Sequence, residues 1–241
     1  GQGTDAHPTA SQRMSGAAPT THFDAWPQKQ GLYNPENEKD ACGVGFIAEL
    51  SGKPSHETVR DAAVILTRLN HRGACGCETE TGDGAGIIVG MPDKFLRKIV
   101  KADCGVDLPP KGRYAVGNVF FVKDDKIVAA QKKTFTEVVE SFGLTVLAWR
   151  KVPVRPGYGK GLGATAAACE PYQEQIYVAA PDSLDVEKFN PLLFEVRQKA
   201  QYATEKVAGE DRGLYICSLS ANVLTYKGML KSEQVTTPLT A

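Results

Sequence analysis

Cys42 is a candidate nucleophile because of the backbone around it. It lies in the segment 40–46 (Asp-Ala-Cys-Gly-Val-Gly-Phe), at the start of a predicted strand. The glycines allow the backbone to turn sharply and a ligand to come close. A cysteine thiolate is a strong nucleophile, so this position suits covalent catalysis. A lone cysteine beside apolar residues is more often a small core side chain, and the segment by itself leaves both interpretations open.

A second cluster of reactive side chains occupies the segment 71–78 (His-Arg-Gly-Ala-Cys-Gly-Cys-Glu). Basic residues such as Arg72 favour a helix C-terminus, and Gly73 is suited to end the helix. Cys75 and Cys77 are separated by one residue, whereas the cysteines of zinc sites are usually separated by two to four and need four ligands. The segment therefore predicts a helix stop and no metal site.

Two loops are rich in glycine. In the segment 81–88 (Thr-Gly-Asp-Gly-Ala-Gly-Ile-Ile) the alternate glycines allow the backbone to approach another group closely. A phosphate-binding loop leads into a helix, whereas this one leads into a predicted strand. Asp83 is either a turn former or part of a site wall, and both roles stay open. In the second loop, 157–163, Lys160 is not followed by Ser or Thr, which disfavours a P-loop and predicts a mobile loop.

Mixed helices and strands must position these segments. Val59, Ala62, Ala63, Leu66 and Leu69 recur at helical spacing and predict one helix face just before the His-Arg-Gly segment. Because the predicted strands lie partly in adjacent pairs, they favour an α+β layered domain over an alternating parallel sheet. Strands are predicted at 43–50, 85–91 (buried), 114–122, 144–149, 175–179 and 214–219, with a hairpin return at 223–227, and further helices around 95–100, 135–142 and 193–208.

The composition excludes several classes of function. The 28 basic and 28 acidic residues cancel, so no basic surface is indicated for nucleic acid or an anionic membrane. No run approaches the ~20 apolar residues that a membrane span requires. The six cysteines are too sparse for a disulfide scaffold, which predicts a reducing compartment and a protein that is not secreted. Cys104, Cys169 and Cys217 are assigned to packing.

Residues 1–30 differ from the rest of the chain. They are rich in Gly, Ala, Thr, Pro and Gln, lack periodic apolar residues, and predict a disordered tail. They contain neither an apolar signal segment nor enough arginine to indicate a transit peptide. The pattern of a folded domain begins at Gly31, and the segment 236–241 carries no closing element, so we expect the chain to be a fragment at both ends.

In this order the motifs resemble the large subunit of the glutamate synthase family. The resemblance rests on Cys-Gly-Val-Gly-Phe at 42–46, His-Arg-Gly-Ala at 71–74, Thr-Gly-Asp-Gly-Ala-Gly-Ile at 81–87 and Gly-Leu-Tyr-Asn-Pro at 31–35, and is strongest over 31–97. The looser Cys…His-Arg-Gly pattern is shared by class II glutamine amidotransferases. The alternatives are therefore another amidotransferase, supplying ammonia for purine or asparagine synthesis, and a non-catalytic regulatory module that keeps the fold.

The resemblance implies a fold, domain boundaries and a site. The fold is that of the N-terminal nucleophile hydrolases, a four-layer α/β/β/α sandwich, here incomplete at its C-terminus. Residues 1–41 would be a leader and 42–241 the amidotransferase domain, with Cys42 as the N-terminal nucleophile that hydrolyses glutamine to glutamate and ammonia. Arg72 would lie close to Cys42 and favour the thiolate. The other residues expected around the nucleophile are Gly43, Gly82, Asp83 and Gly84.

The resemblance also implies partners for the whole protein. Ammonia would pass to a separate domain and react with 2-oxoglutarate, with FMN, an iron–sulfur cluster and either ferredoxin or NAD(P)H supplying electrons. No cofactor or metal is predicted within this segment, and the sequence does not decide between cytoplasm and plastid. The family's oxyanion hole uses an Asn-Gly pair, and no asparagine here precedes glycine. We therefore expect the oxyanion and glutamine-binding residues beyond residue 241, and expect the fragment alone to be inactive.

Overall fold

The computed structural model describes residues 29, 31–32, 34, 42–72, 78–153, 163–208 and 213–240. The chain divides into two compact units, 1–41 and 42–241. Only four residues of the first unit are described, so the rest of the predicted leader lies outside the described residues. The same is true of Cys75, Cys77 and all of the second glycine-rich loop except Gly163.

Helices and antiparallel strands together form the described part of the second unit. This mixture is that of an α+β domain, as predicted. Among the described residues, no helix is both long and apolar enough to cross a bilayer. The helices are α1 (His56–Arg68, continued by a 3-10 turn, Leu69–Arg72), α2 (Asp93–Cys104), α3 (Asp125–Ser141), α4 (Ala164–Ala168), α5 (Val186–Ala208) and α6 (Ser232–Thr240). The strands are β1 (Ala85–Gly90), β2 (Tyr114–Phe121), β3 (Thr145–Lys151), β4 (Tyr172–Ala179), β5 (Tyr215–Ser220) and β6 (Val223–Gly228).

The strands form two antiparallel sheets. One has four strands in the order β3-β4-β2-β5, and β2 is paired with β4 from Tyr114 opposite Ala179 to Phe121 opposite Tyr172. The other has two strands, with Ala85 of β1 opposite Gly228 of β6. Because side chains alternate along a strand, the four-stranded sheet has two buried faces. One face packs under α3 and α5, and the other packs against α2 and β6.

Local signals explain where the helices begin. Asp124 caps α3, its carboxylate accepting from the backbone N–H groups of Lys126 and Ile127 at 3.0 and 3.2 Å. Ser55 caps α1 in the same way, its hydroxyl accepting from the N–H of Glu57 at 3.1 Å. Such a cap satisfies donors that have no partner inside the helix and stabilises it by about 1 kcal/mol.

The strand predicted at 43–50 is wrong. Residues 42–49 have no regular secondary structure, and Val44, Phe46 and Leu50 are 85%, 91% and 99% exposed. The apolar pattern was compatible with a strand, but a strand also requires a hydrogen-bonded neighbour. No strand pairs with this segment among the described residues.

Three further elements differ from their predictions in detail. β1 is a strand but is not buried on both faces, because Ile87 is buried whereas Ile88 is 68% exposed. β6 pairs with β1 and does not return as a hairpin onto β5. α5 begins at Val186 and not at 193, since the Asp185 carboxylate accepts from the N–H of Glu187 at 3.0 Å and starts the helix before Pro191.

Asp93 joins the start of α2 to β2. Its carboxylate accepts from Nε of Arg97 at 3.0 Å and from the hydroxyl of Tyr114 at 2.8 Å. Partial burial acts to raise the pKa of Asp93, but the hydrogen bonds from Arg97 and Tyr114 and the charges of Arg97 and Lys111 outweigh it and hold the pKa below its ordinary value of 3.8. The native state therefore binds fewer protons than the unfolded chain, and this stabilisation is lost as the pH falls through the native pKa.

We expect Asp93→Asn to destabilise the domain at neutral pH and to flatten the loss of stability between about pH 5 and pH 2. The measurement is the free energy of unfolding in urea at a series of pH values. Asp107→Asn changes a far more exposed carboxylate on the loop after α2 and serves as the control. If the free energy of unfolding falls with the same slope at acid pH in Asp93→Asn and in the unsubstituted protein, Asp93 is not the source of this pH dependence.

Candidate active site

Cys42 is the first residue of the second unit, and its side chain is exposed. The segment that it begins runs beside α1, since a Cβ on Gly45 would lie 2.5 Å from Cγ2 of Ile65. Gly43, the residue after Cys42, is half-buried. Cys42 is thus a free and accessible thiol, as a nucleophile must be.

The other cysteines of the described residues have different surroundings. Cys217 is buried in β5, and burial raises the pKa of its thiol, which suits the predicted packing role. Cys104 is half-buried at the end of α2. The packing role predicted for Cys169 is wrong, because its side chain is exposed and its Sγ lies 3.2 Å from the carbonyl oxygen of Thr165. Cys169 lies at the end of a short surface helix, where little of the chain covers it.

Arg72 is the last residue of the 3-10 turn that continues α1. The α-helix itself ends at Arg68, and Nδ1 of His71 lies 3.0 Å from the carbonyl oxygen of Arg68 in its last turn. Gly73, which was predicted to end the helix, lies outside the described residues. The Arg72 side chain and residues 73–77 lie outside the described residues. The proximity of Arg72 to Cys42 stays a prediction.

The glycines of the 81–84 loop permit a close approach to the chain's own backbone. Gly82 is buried, and a Cβ there would lie 2.5 Å from the carbonyl carbon and oxygen of Leu230 and 2.6 Å from N of Lys231. Gly84 has φ +147°, which L side chains rarely adopt. Asp83, between them, is exposed. The loop is thus packed against the connection between β6 and α6, with Asp83 facing solvent.

Gly82→Ala should lower the free energy of unfolding by about 1–3 kcal/mol, because the added methyl group meets backbone atoms that cannot move aside. Gly90→Ala is the matched control: Gly90 ends β1, and a Cβ there would have no neighbour within 4 Å. Urea unfolding of both variants makes the comparison. Equal stabilities would show that the 81–84 loop is not packed as described.

Glu78 is a residue that the sequence did not single out. Its carboxylate oxygens accept hydrogen bonds from the backbone and side chain of Thr165 and from the hydroxyl of Thr81. The N–H of Thr165 above all, and then the two hydroxyls, hold the pKa of Glu78 below its ordinary value. No local sequence signal indicates this site, because its two halves are 87 residues apart.

The described contacts connect some of the predicted site residues and leave others apart. Residues 78–84 meet the β6–α6 connection and α4. No hydrogen bond or ion pair between described residues joins Cys42 to this loop. Within the described ranges there is also no group of three or more His, Cys, Asp or Glu side chains able to hold a metal ion.

The arrangement is that of an exposed thiol at the start of an α+β domain, followed by a basic helix end and a glycine loop. The profile of the family described as "Glutamine amidotransferases class-II" matches residues 42–238. The chain therefore belongs to the class II glutamine amidotransferase family.

The chain is also similar to curated glutamate synthases, which confirms the resemblance seen in the motifs. It is 39% identical over 217 residues to glutamate synthase [NADH] of Schizosaccharomyces pombe, covering 88% of this chain and 10% of that protein. It is 39% identical over 216 residues to the glutamate synthase [NADPH] large chain of Bacillus subtilis (88% and 14%). It is 35% identical over 225 residues to ferredoxin-dependent glutamate synthase 2, chloroplastic, of Arabidopsis thaliana (92% and 13%). The chain thus spans only 10–14% of the length of these relatives.

Proposed function

We propose that the unit beginning at Cys42 is the glutaminase part of a glutamate synthase, hydrolysing glutamine to glutamate and ammonia. One observation carries the proposal: the family match begins at Cys42, the residue that places a free, exposed thiol at the start of the second unit. The similarity to glutamate synthases from a yeast, a bacterium and a plant supports this amidotransferase over others of the class.

The proposed chemistry requires Cys42 to become the N-terminal residue. An α-amine and a thiol hold a proton about equally well, so the freed α-amine would take the proton of the thiol at little cost. The thiolate attacks the side-chain amide carbon of glutamine, the carbon–nitrogen bond breaks, and ammonia leaves with the proton from the amine. Water then cleaves the thioester to release glutamate. While residues 1–41 remain attached, that amine is an amide and the base is missing.

The neighbouring residues have supporting roles in this proposal. Arg72 favours the thiolate by its positive charge. Gly43 allows the substrate to approach the nucleophile, and the loop at Gly82, Asp83 and Gly84 forms an adjacent wall. In this wall the backbone at Gly82 would be fixed and the side chain of Asp83 would face solvent. The tight packing of Gly82 and the exposure of Asp83 support these two roles.

The proposed architecture is the four-layer α/β/β/α sandwich, with residues 1–41 as a leader. The helices α3 and α5 and the four-stranded sheet would be two layers, and the two-stranded sheet with α1 and α6 the other two. Contacts support this order: α3 packs on α5, β6 lies against β2 and β5, and α1 contacts both α6 and β1.

In the whole protein, in cytoplasm or plastid, ammonia would react with 2-oxoglutarate in another domain to form an imine. Ferredoxin or NAD(P)H would supply the electrons that reduce this imine to glutamate, by way of FMN and an iron–sulfur cluster. An iron–sulfur cluster is held by several cysteine thiolates. Of the four described cysteines, one is buried in β5 and the others lie on separate segments, and no metal-binding cluster occurs among the described residues. These residues do not fit the cluster, and none is assigned to FMN.

N-terminal sequencing and intact mass of the protein from its native source test the proposal. The expected result is a mature chain that begins at Cys42. A mature chain that retains residues 1–41 would have no free amine on Cys42, and the glutaminase assignment would then be wrong.

A further inference from the structure

The Glu78 carboxylate bridges two segments that are distant in the sequence. Oε1 accepts from the backbone N–H of Thr165 at 2.9 Å and from its hydroxyl at 2.8 Å. Oε2 accepts from the hydroxyl of Thr81 at 2.7 Å and shares the N–H of Thr165 at 3.2 Å. One side chain therefore ties the start of α4 to the segment that leads into the 81–84 loop.

Gly163 shows that this contact is closely packed. A Cβ on Gly163 would overlap Oε2 of Glu78 and Oγ1 of Thr81. The backbone of Gly163 has φ −60° and ψ 158°, a conformation that any residue adopts. Glycine is therefore required here by the lack of room for a side chain and not by the backbone conformation. The Glu78 carboxylate occupies the volume where a Cβ would lie.

The segment is held from a second side by α6. Nε2 of Gln234 donates to the carbonyl oxygen of Glu80 at 3.3 Å, and Oε1 of Gln234 accepts from the N–H of Lys231 at 2.7 Å. Gly82 packs on the backbone of Leu230 and Lys231. Glu78 and Gln234 thus hold the two sides of the segment that leads into the proposed site wall.

We propose that Glu78 is a positioning residue for glutamine hydrolysis: by binding Thr165 and Thr81 it fixes the wall formed by residues 82–84. The inference rests on the glutaminase function proposed above. Glu78 does not touch the reacting atoms, and its effect passes through the backbone of the loop.

The test uses the full-length mature enzyme with Glu78→Gln. Glutamine keeps the length of the side chain, but its amide nitrogen cannot accept the hydrogen bonds that one carboxylate oxygen receives. We expect KM for glutamine to rise about tenfold or more, with a smaller change in kcat, because a displaced wall binds substrate less well. Glu170→Gln removes a charge from the connection after α4, where Glu170 pairs with Lys123 at the surface, and should leave both constants unchanged.

Thr165 allows the same test from the other side of the contact. Thr165→Val removes the donating hydroxyl and should raise KM, whereas Thr165→Ser retains the hydroxyl and should restore the original KM. If Glu78→Gln does not fold, the comparison of Thr165→Val with Thr165→Ser tests the positioning role instead. An unchanged KM in both Glu78→Gln and Thr165→Val, or a loss of kcat alone, would overturn the positioning role while glutamine hydrolysis by the unsubstituted enzyme still upheld the proposed function. An unsubstituted enzyme that does not hydrolyse glutamine would overturn both.

Discussion

Cys42→Ala in the full-length enzyme should reduce glutamine hydrolysis by a factor on the order of 10⁴ or more, the scale of loss when a covalent nucleophile is removed. The reason is that the proposed thioester forms on the sulfur of Cys42, which alanine lacks. The measurement is ammonia release from glutamine, accompanied by labelling with a diazo-ketone analogue of glutamine and mapping of the labelled peptide. Label is expected on Cys42 of the unsubstituted enzyme and absent from the variant.

Cys169→Ser provides the matched control for this experiment. Cys169 is the other exposed free cysteine among the described residues, and a serine hydroxyl can still donate to the carbonyl oxygen of Thr165. We expect hydrolysis and labelling to stay at the level of the unsubstituted enzyme. Label found on Cys169, or glutamine hydrolysis that survives Cys42→Ala, would show that Cys42 is not the nucleophile.

Phe135→Ala should lower the free energy of unfolding by about 3–5 kcal/mol, the cost of emptying a buried aromatic site. Phe135 is fully buried in α3, and its ring meets Trp149 of β3 edge-on, with the ring centroids 5.5 Å apart. Nζ of Lys132 lies over the same Trp149 ring, 5.1 Å from its centroid. Removal of Phe135 therefore opens the packing between α3 and the four-stranded sheet. Urea unfolding followed by tryptophan fluorescence measures the change.

Phe194→Ala serves as the control for the core substitution. Phe194 lies on the outer side of α5 and is 60% exposed, so its removal leaves no cavity. We expect a change within about 0.5 kcal/mol, as is usual for surface substitutions. A loss at Phe135 as small as that at Phe194 would mean that the packing between α3 and β3 is not as described.

Local pattern predicted most helices and strands because their signals are contained in a few neighbouring residues. The apolar positions from Val59 to Leu69 follow the turn of α1, and the predicted strand 114–122 differs from β2 by one residue. Pairing could not be predicted in this way. The segment 43–50 has the composition of a strand and no partner strand among the described residues, and β6 adjoins β5 in sequence yet pairs with β1.

The sequence by itself determined the candidate nucleophile and the family, because Cys42, the His-Arg-Gly segment and the 81–87 loop are short motifs, each contained in a few neighbouring residues. It also indicated that the glycines of that loop permit a close approach. Only the tertiary structure decided what they approach, namely the backbone at Leu230 and Lys231, and only it revealed the contact of Glu78 with Thr165. Both are contacts between distant parts of the chain, and Glu78 and Thr165 are 87 positions apart. Neighbouring residues determine local conformation directly, and their pattern can be recognised in the sequence. Residues far apart in the sequence meet only through the packing of the whole domain.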